Sequence, residues 1–210
     1  MVEYKDGADF LSPDPIETQV LQGSQDSEGV ELMVKKNNDR LTGWVSYTLS
    51  RSMVLINGLY EEQKVNGGVP YPSNFDRPHS FNLVANYRIS RRLSFSSNIV
   101  YSTGRPVTLP VAAYYAEGRP FLLYSARNAY RIPDYFRIDL SVNLEGNLKF
   151  KKVAHSFWML NVYNLTGRSN AYSVFYEVED GAINGYQLSV FARPIITLSW
   201  NFKFGNYNSN

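Results

Sequence analysis

The chain has 210 residues, with 21 Lys and Arg against 19 Asp and Glu and a formal net charge of +2, so no basic field of the kind that binds nucleic acid is expected. It has no Cys and only two His, His79 and His155, which excludes a disulfide framework and thiolate metal sites and leaves little for a metal centre. No apolar run reaches the ~18 residues of a membrane-spanning helix, but a membrane β-barrel stays open, because barrel strands need only about ten alternating residues. Val2 to Asp9 carries no charged-then-apolar leader; either the chain stays in the cytoplasm or its true beginning is missing.

Met1 to about Gln25 is polar, contains Pro13 and Pro15, and reads as loop. Gly29 to Lys36 is the first predicted strand, with Val30, Leu32 and Val34 on one face, and it ends at the turn residues Asn37-Asn38-Asp39-Arg40. Leu41 to Ser52 follows, with Leu41, Val45, Tyr47 and Leu49 opposite Thr42, Trp44, Ser46, Thr48 and Ser50. A loop rich in Gly, Pro and Asn spans Met53 to Pro78. His79 to Ile89 then sets Phe81, Leu83, Ala85, Tyr87 and Ile89 against Ser80, Asn82, Asn86 and Arg88. After Ser90-Arg91, the strand to Thr103 sets Leu93, Phe95, Ile99 and Tyr101 against Ser94, Ser96, Asn98 and Ser102.

A second long loop runs from Gly104 to Tyr135. Phe136 to Glu145 alternates without a break, and a polar connection, Gly146 to Ala154, leads to Ser156–Tyr163, whose apolar side is Trp158, Leu160 and Val162. Ala171 to Val178 and Gly185 to Phe191 read as strand extensions around a Glu179–Gly181 turn. The last strand, Pro194 to Phe204, has Ile196, Leu198, Trp200, Phe202 and Phe204 on one face and Thr197, Ser199, Asn201 and Lys203 on the other. A period of two separates the faces of a strand, and a helix would scatter these residues around all sides.

Connections alternate in length. Asn37–Arg40, Ser90–Arg91 and Gly146–Ala154 are short, while Met53–Pro78, Gly104–Tyr135 and Thr166–Pro194 are long, which places every long loop at one end of the sheet. That asymmetry belongs to outer-membrane barrels. A water-soluble sandwich also alternates, but its wet face should be rich in Lys and Glu, whereas here it is mostly Ser, Thr and Asn, as expected of a lumen. Aromatic residues make up 15% of the chain, 16 of them Tyr, and Tyr and Trp lie near strand ends, where interfacial girdles form. The fold class expected is all-β, an antiparallel transmembrane β-barrel segment of about seven to eight strands.

Several strings carry a family resemblance. Gly29-Val30-Glu31-Leu32 with Leu41 to Ser52, Phe75-Asp76-Arg77-Pro78-His79, Tyr101 to Pro110, Tyr130 to Leu140, Asn161-Val162-Tyr163-Asn164-Leu165-Thr166 and Pro194 to Phe204 together resemble the late barrel strands of TonB-dependent outer-membrane receptors of the Bacteroidetes type. The resemblance runs over nearly the whole chain, residues 1–210. It implies the C-terminal portion of a plugged barrel of about 22 strands, with the signal peptide, the plug and roughly two thirds of the barrel absent. It also implies energised import of a scarce ligand: a siderophore, cobalamin or oligosaccharide binds among the long loops, and the inner-membrane TonB energy-coupling complex pulls on the plug through the missing N-terminal part.

Further partners implied are outer-membrane lipid, the barrel-assembly machinery acting on the strand that ends at Phe204, and a surface lipoprotein in the glycan-importing branch; nucleic acid is not among them. The tail Gly205–Asn210 departs from the family's ending on an aromatic. Lumen-facing Arg137, Asp139 and Glu145 would contact the plug, and the long loops would capture ligand. Tyr114, Tyr115, Phe121 and Tyr124 either stack on a ligand ring or pack their loop against itself.

No catalytic, cofactor-binding or metal-binding residue is singled out. His79 reads as a structural hydrogen-bonding residue and His155 as a turn residue without ligands nearby, while Asp76 and Arg77 hold their loop against a neighbour. No Gly-x-Ser-x-Gly elbow occurs, so a lipase or acyltransferase barrel ranks last. Asn164-Leu165-Thr166 fits a glycosylation acceptor but reads better as a strand end. Lys149, Lys151, Lys152 and Arg91-Arg92 fall at the short-turn end, where a solvated or phosphate-facing role is ordinary. The alternative from another class is a self-contained small outer-membrane barrel with a structural or adhesive role, which should carry at least eight strands.

Overall fold

A computed structural model describes residues 1–5, 15–116, 119–146, 154–179 and 182–204. The protein is all-β. In chain order its strands are β1 (Val2–Tyr4), β2 (Val20–Gln22), β3 (Ser24–Lys36), β4 (Leu41–Leu55), β5 (Tyr71–Pro72), β6 (His79–Arg88), β7 (Leu93–Ser102), β8 (Pro106–Val107), β9 (Pro110–Ala116), β10 (Arg119–Tyr124), β11 (Tyr130–Arg131), β12 (Tyr135–Glu145), β13 (Ala154–Tyr163), β14 (Ala171–Glu179), β15 (Ala182–Ser189) and β16 (Ile195–Phe204).

Seven long strands form one antiparallel meander in the order β16-β13-β12-β7-β6-β4-β3, with the short β5 beside β4. Among the described strands the sheet stays open: β3 and β16 are its two edges, and no closed barrel forms. The connections after β3, β6 and β12 lie at one end of the meander. Those after β4, β7 and β13 lie at the other, as the alternating loop lengths predict. Residues 147–153 of the expected polar connection, Asp180 and Gly181 of the expected turn, and the tail 205–210 lie outside the described residues.

Register turns the alternation of single strands into two continuous faces. Leu41, Tyr87, Phe95, Val142, Leu160 and Leu198 are successive cross-strand partners and make an apolar row across six strands. Shifted by one residue, Thr42, Asn86, Ser96, Ser141, Asn161 and Thr197 make a polar row on the opposite face. A slip of one residue in any pair would interrupt both rows, so the two-faced pattern itself specifies the register. On the polar face Ser141 Oγ donates to Asn161 Oδ1 at 2.6 Å and Asn161 Nδ2 to Thr197 Oγ1 at 3.4 Å. On the apolar face Trp158 and Trp200 stack across β13 and β16, 5.1 Å between centroids.

The apolar face is not covered. Leu32 is 64% exposed, Leu160 41% and Leu198 66%, and the buried apolar cluster of Val54, Ile56, Val65 and Tyr71, with Leu21 against it, sits under the loop after β4 instead. Core formation among the described residues is therefore local to the long-loop end.

Several expectations change in detail. The stretch to Gln25 is not simply loop: β1 pairs with β2, a 3-10 turn spans Ile16–Gln19, and β3 begins at Ser24, five residues before the expected Gly29. Ladder pairing of Ser24 to Glu28 with Leu55 to Arg51 overrides their polar character, assisted by Gln25 Nε2 and Ser27 Oγ on Ser52 Oγ at 2.9 and 2.8 Å. The loops 53–78 and 104–135 contain β5, β8, β11 and the β9–β10 hairpin. The segments read as strand extensions form a separate two-stranded sheet, β14–β15, and Phe191 lies beyond it with φ of 53°. His155 lies on β13, opposite Lys203, rather than on a turn.

Candidate functional site

The strings that carry the resemblance meet at the long-loop end. Asp76 is buried and paired with the Arg131 guanidinium, and its carboxylate also accepts the Ser52 N–H at 2.6 Å. Arg131 donates further to the carbonyls of Asp76 and Gly104, at 2.8 and 3.0 Å. A buried carboxylate is costly unless paired and hydrogen-bonded, and here both conditions hold. Asp134 accepts the Gly104 N–H at 2.9 Å and the Tyr101 hydroxyl at 2.8 Å. The Gly104 amide foremost, then the Tyr101 hydroxyl, holds the Asp134 carboxyl below the ordinary aspartate value. Gly104 is required by a close approach: a Cβ there would sit 1.8 Å from the Ile132 carbonyl oxygen.

Asparagine side chains complete the junction. Asn164, at φ of 51°, is buried, and its carboxamide donates to the carbonyls of Arg168 and Phe191 at 3.0 and 2.9 Å. It is a strand-end corner with its amide committed, which leaves no room for a glycan. Asn170 pairs with the Phe136 backbone as a neighbouring strand would, accepting its N–H and donating to its carbonyl, both at 2.9 Å. It does so where β12 projects past β13, whose pairing with β12 covers only Leu140–Glu145.

Below this junction, on the polar face, Arg137 donates to Asp139 Oδ2 at 3.0 Å and to the hydroxyls of Tyr135 and Tyr163 at 2.8 and 2.9 Å. Its guanidinium lies 4.5 Å from the centre of the Tyr163 ring. Asp139 also accepts the Asn164 N–H at 2.9 Å and the Asn98 carboxamide at 3.3 Å. Arg137 and Asp139 thus share one network, while Glu145 sits apart at the short-connection end with His155, Oε2 to Nε2 at 3.0 Å.

Among the described residues three clefts open at the long-loop end, and two of them share Arg105. One, of about 950 Å³, has Glu3, Glu61, Lys64, Arg105, Tyr124 and Arg127 among its lining residues; Glu61 pairs with Lys64 and Glu3 with Arg127, while Arg105 has no ion pair among the described residues. Another, of about 510 Å³, lies between the ends of β12 and β13 and the base of the β14–β15 hairpin, and includes Arg77, Arg105 and Arg137 without any Asp or Glu.

Other sequence-selected residues fall as follows. His79 Nδ1 lies 2.8 Å from the Tyr47 hydroxyl, and its backbone N–H donates to Thr103 Oγ1 at 3.1 Å, a structural role. Tyr114 and Phe121 stack across the β9–β10 hairpin at 5.5 Å, while Tyr115 and Tyr124 stand exposed, so this hairpin is packed in part against itself. Arg105, Arg131, Asp134 and Asn170 escaped notice as individual residues, although all but Asn170 lie inside the strings quoted for the resemblance. No family model, no curated protein and no solved structure matches the chain.

Proposed function

We propose that the chain is a C-terminal wall segment of a TonB-dependent outer-membrane receptor, its apolar face against lipid, its polar face lining a plugged lumen and its long loops outside. The observation that carries this reading is the largely apolar face over seven strands, broken at Gly43 and Ser97 and exposed over much of its area, backed by a face that is mostly Ser, Thr and Asn. Strands of ten or eleven residues such as β7, β12, β13 and β16 match the about 9–11 residues with which a tilted strand crosses a bilayer. The stagger of β13 against β12 is the kind of offset that tilts strands in a barrel. The position of β3 and β16 as edges among the described strands supports further strands on both sides, since long open edges invite pairing.

Import driven by the inner-membrane complex follows from the family resemblance. In that mechanism the junction around Asp76 and Asp134 holds the outer loops in place while ligand is captured, and the lumen network around Arg137 faces the plug. An immunoblot of native outer membranes with an antibody to this chain tests the reading. The expected band is roughly four times heavier than 24.0 kDa, as a plugged barrel of about 22 strands requires. A membrane band at 24.0 kDa that shifts on boiling would overturn it in favour of a small, self-contained barrel.

A further inference from the structure

The cleft of about 510 Å³ between β12, β13 and the β14–β15 hairpin has an unbalanced charge that its surroundings do not satisfy. Three arginines reach it and no carboxylate lines it. The acidic groups of the adjoining networks already have partners: Asp76 is paired with Arg131 and the Ser52 amide, Asp134 with the Gly104 amide and the Tyr101 hydroxyl, and Asp139 with Arg137, Asn98 and the Asn164 amide. Arg137 is likewise occupied, by Asp139, Tyr135 and Tyr163. Arg77 and Arg105 are different: among the described residues neither side chain has a hydrogen bond or an ion pair, although the backbone carbonyl of each accepts one, so Asp76 holds the loop as expected while the Arg77 side chain, expected to share that role, does not.

Apolar side chains line the cleft as well, Val190 and Phe191 among them, and Phe191 sits edge-on to Tyr163 at 5.9 Å. Phe191 adopts a left-handed φ of 53°, and its carbonyl is held by the Asn164 carboxamide at 2.9 Å. A bulky aromatic residue rarely adopts that conformation; here a buried side chain fixes it while the ring remains 59% exposed. A pocket of this size whose lining combines cationic and aromatic side chains has the ordinary anatomy of a small-molecule site.

We propose that this cleft binds a small organic acid, its oxyanion held by the Arg77 and Arg105 guanidinium forks and its apolar or aromatic body against Phe191 and Val190. Arginine suits the task because its planar fork meets a carboxylate with two parallel donors and never loses its charge. The proposal deepens the importer reading by naming the chemical class of the captured ligand, and it rests on that reading for any part in uptake. Binding itself is independent of where the protein resides.

The test is a titration of the full-length native protein, purified in detergent, with 2-naphthoate, with the neutral isostere 2-naphthamide and with inorganic phosphate. Saturable binding of naphthoate is expected, with much weaker binding of the other two. Arg77→Gln and Arg105→Gln should each weaken naphthoate about tenfold or more, the worth of a hydrogen bond to a charged group. Arg91→Gln, in the short connection after β6, should leave it unchanged. Because neither cleft arginine supports a neighbour, both variants should keep the wild-type thermal unfolding profile; if one does not, Arg→Lys at the same position provides the binding comparison. Equal affinity for naphthamide, equal affinity for phosphate, no naphthoate binding, or binding indifferent to both arginines would overturn the proposal. None of those outcomes changes the immunoblot, so a failed cleft and a failed membrane reading are told apart.

Discussion

Asn66, Asn128, Asn164 and Asn170 each bring a carboxamide to partly buried backbone where long connections meet. Asn66 brackets Arg127, accepting its N–H at 2.6 Å and donating to its carbonyl at 3.0 Å, and Asn128 donates to the Pro72 carbonyl at 2.8 Å. Three of the four have left-handed φ, between 51° and 56°, a conformation that asparagine tolerates better than most residues. One residue type therefore both turns the chain and supplies the partner that the turned chain needs. Asp134 performs the same service with a charge, and that makes it sensitive to pH. Its folded-state pKa lies below the ordinary value of 3.8, so its contribution is fully present above that value and is lost as pH falls through the lower, folded one. Urea unfolding of the full-length protein in lipid vesicles, wild type and Asp134→Asn, at about pH 5 and about pH 3 checks the sign: the wild type should lose more stability between the two. An equal loss would remove Asp134 from the account of the junction.

A strand in the meander is read by which medium each face meets, and substitution can ask that question directly. Leu160 stands in the apolar row between Val142 and Leu198, and Ser96 in the polar row between Asn86 and Ser141. If the apolar face lies in hydrocarbon, Leu160→Arg should cost about 2–4 kcal/mol near the bilayer midplane. Ser96→Arg, on a wet face, should cost less than about 1 kcal/mol. Urea unfolding of the protein reconstituted in lipid vesicles measures both, and equal small costs would place the apolar face in water. The strands themselves were legible because a period of two is a local property, visible in Phe136 to Glu145 without any partner. The β14–β15 hairpin was not, since nothing local to Ala171–Glu179 says whether an alternating run joins the main sheet or pairs with its own return. That choice is made at Asn164 and Phe191, two corners of left-handed φ. Likewise the Asp76 motif could be read as holding a loop, but its partner Arg131 lies 55 residues away, and one sequence does not reveal such a pairing.

At the scale of the whole molecule, few apolar side chains are fully buried among the described residues. Its buried apolar cluster is Val54, Ile56, Val65 and Tyr71 at the loop end, whereas side chains such as Val30, Ile196, Leu198 and Trp200, each more than half exposed, stand on an uncovered face. Fully burying one Val, Leu, Ile or Phe gains about 1.5–3 kcal/mol, while ordering each residue's backbone costs about 1–2 kcal/mol. A seven-stranded sheet whose apolar face stays in water forgoes the larger part of the gain and still pays the cost. Its edges add to the difficulty, because among the described strands β3 and β16 each have a neighbour on one side alone. The chain expressed by itself should therefore fail to give a cooperatively folding monomer in aqueous buffer and should collect as aggregate. Detergent should dissolve it by covering the apolar face, without supplying partners for the β3 and β16 edges. Size-exclusion chromatography and urea unfolding, with and without detergent, measure this. A soluble monomer with a sharp unfolding transition in plain buffer would mean that the apolar face folds against something within the chain, and the lipid-facing wall would have to be abandoned.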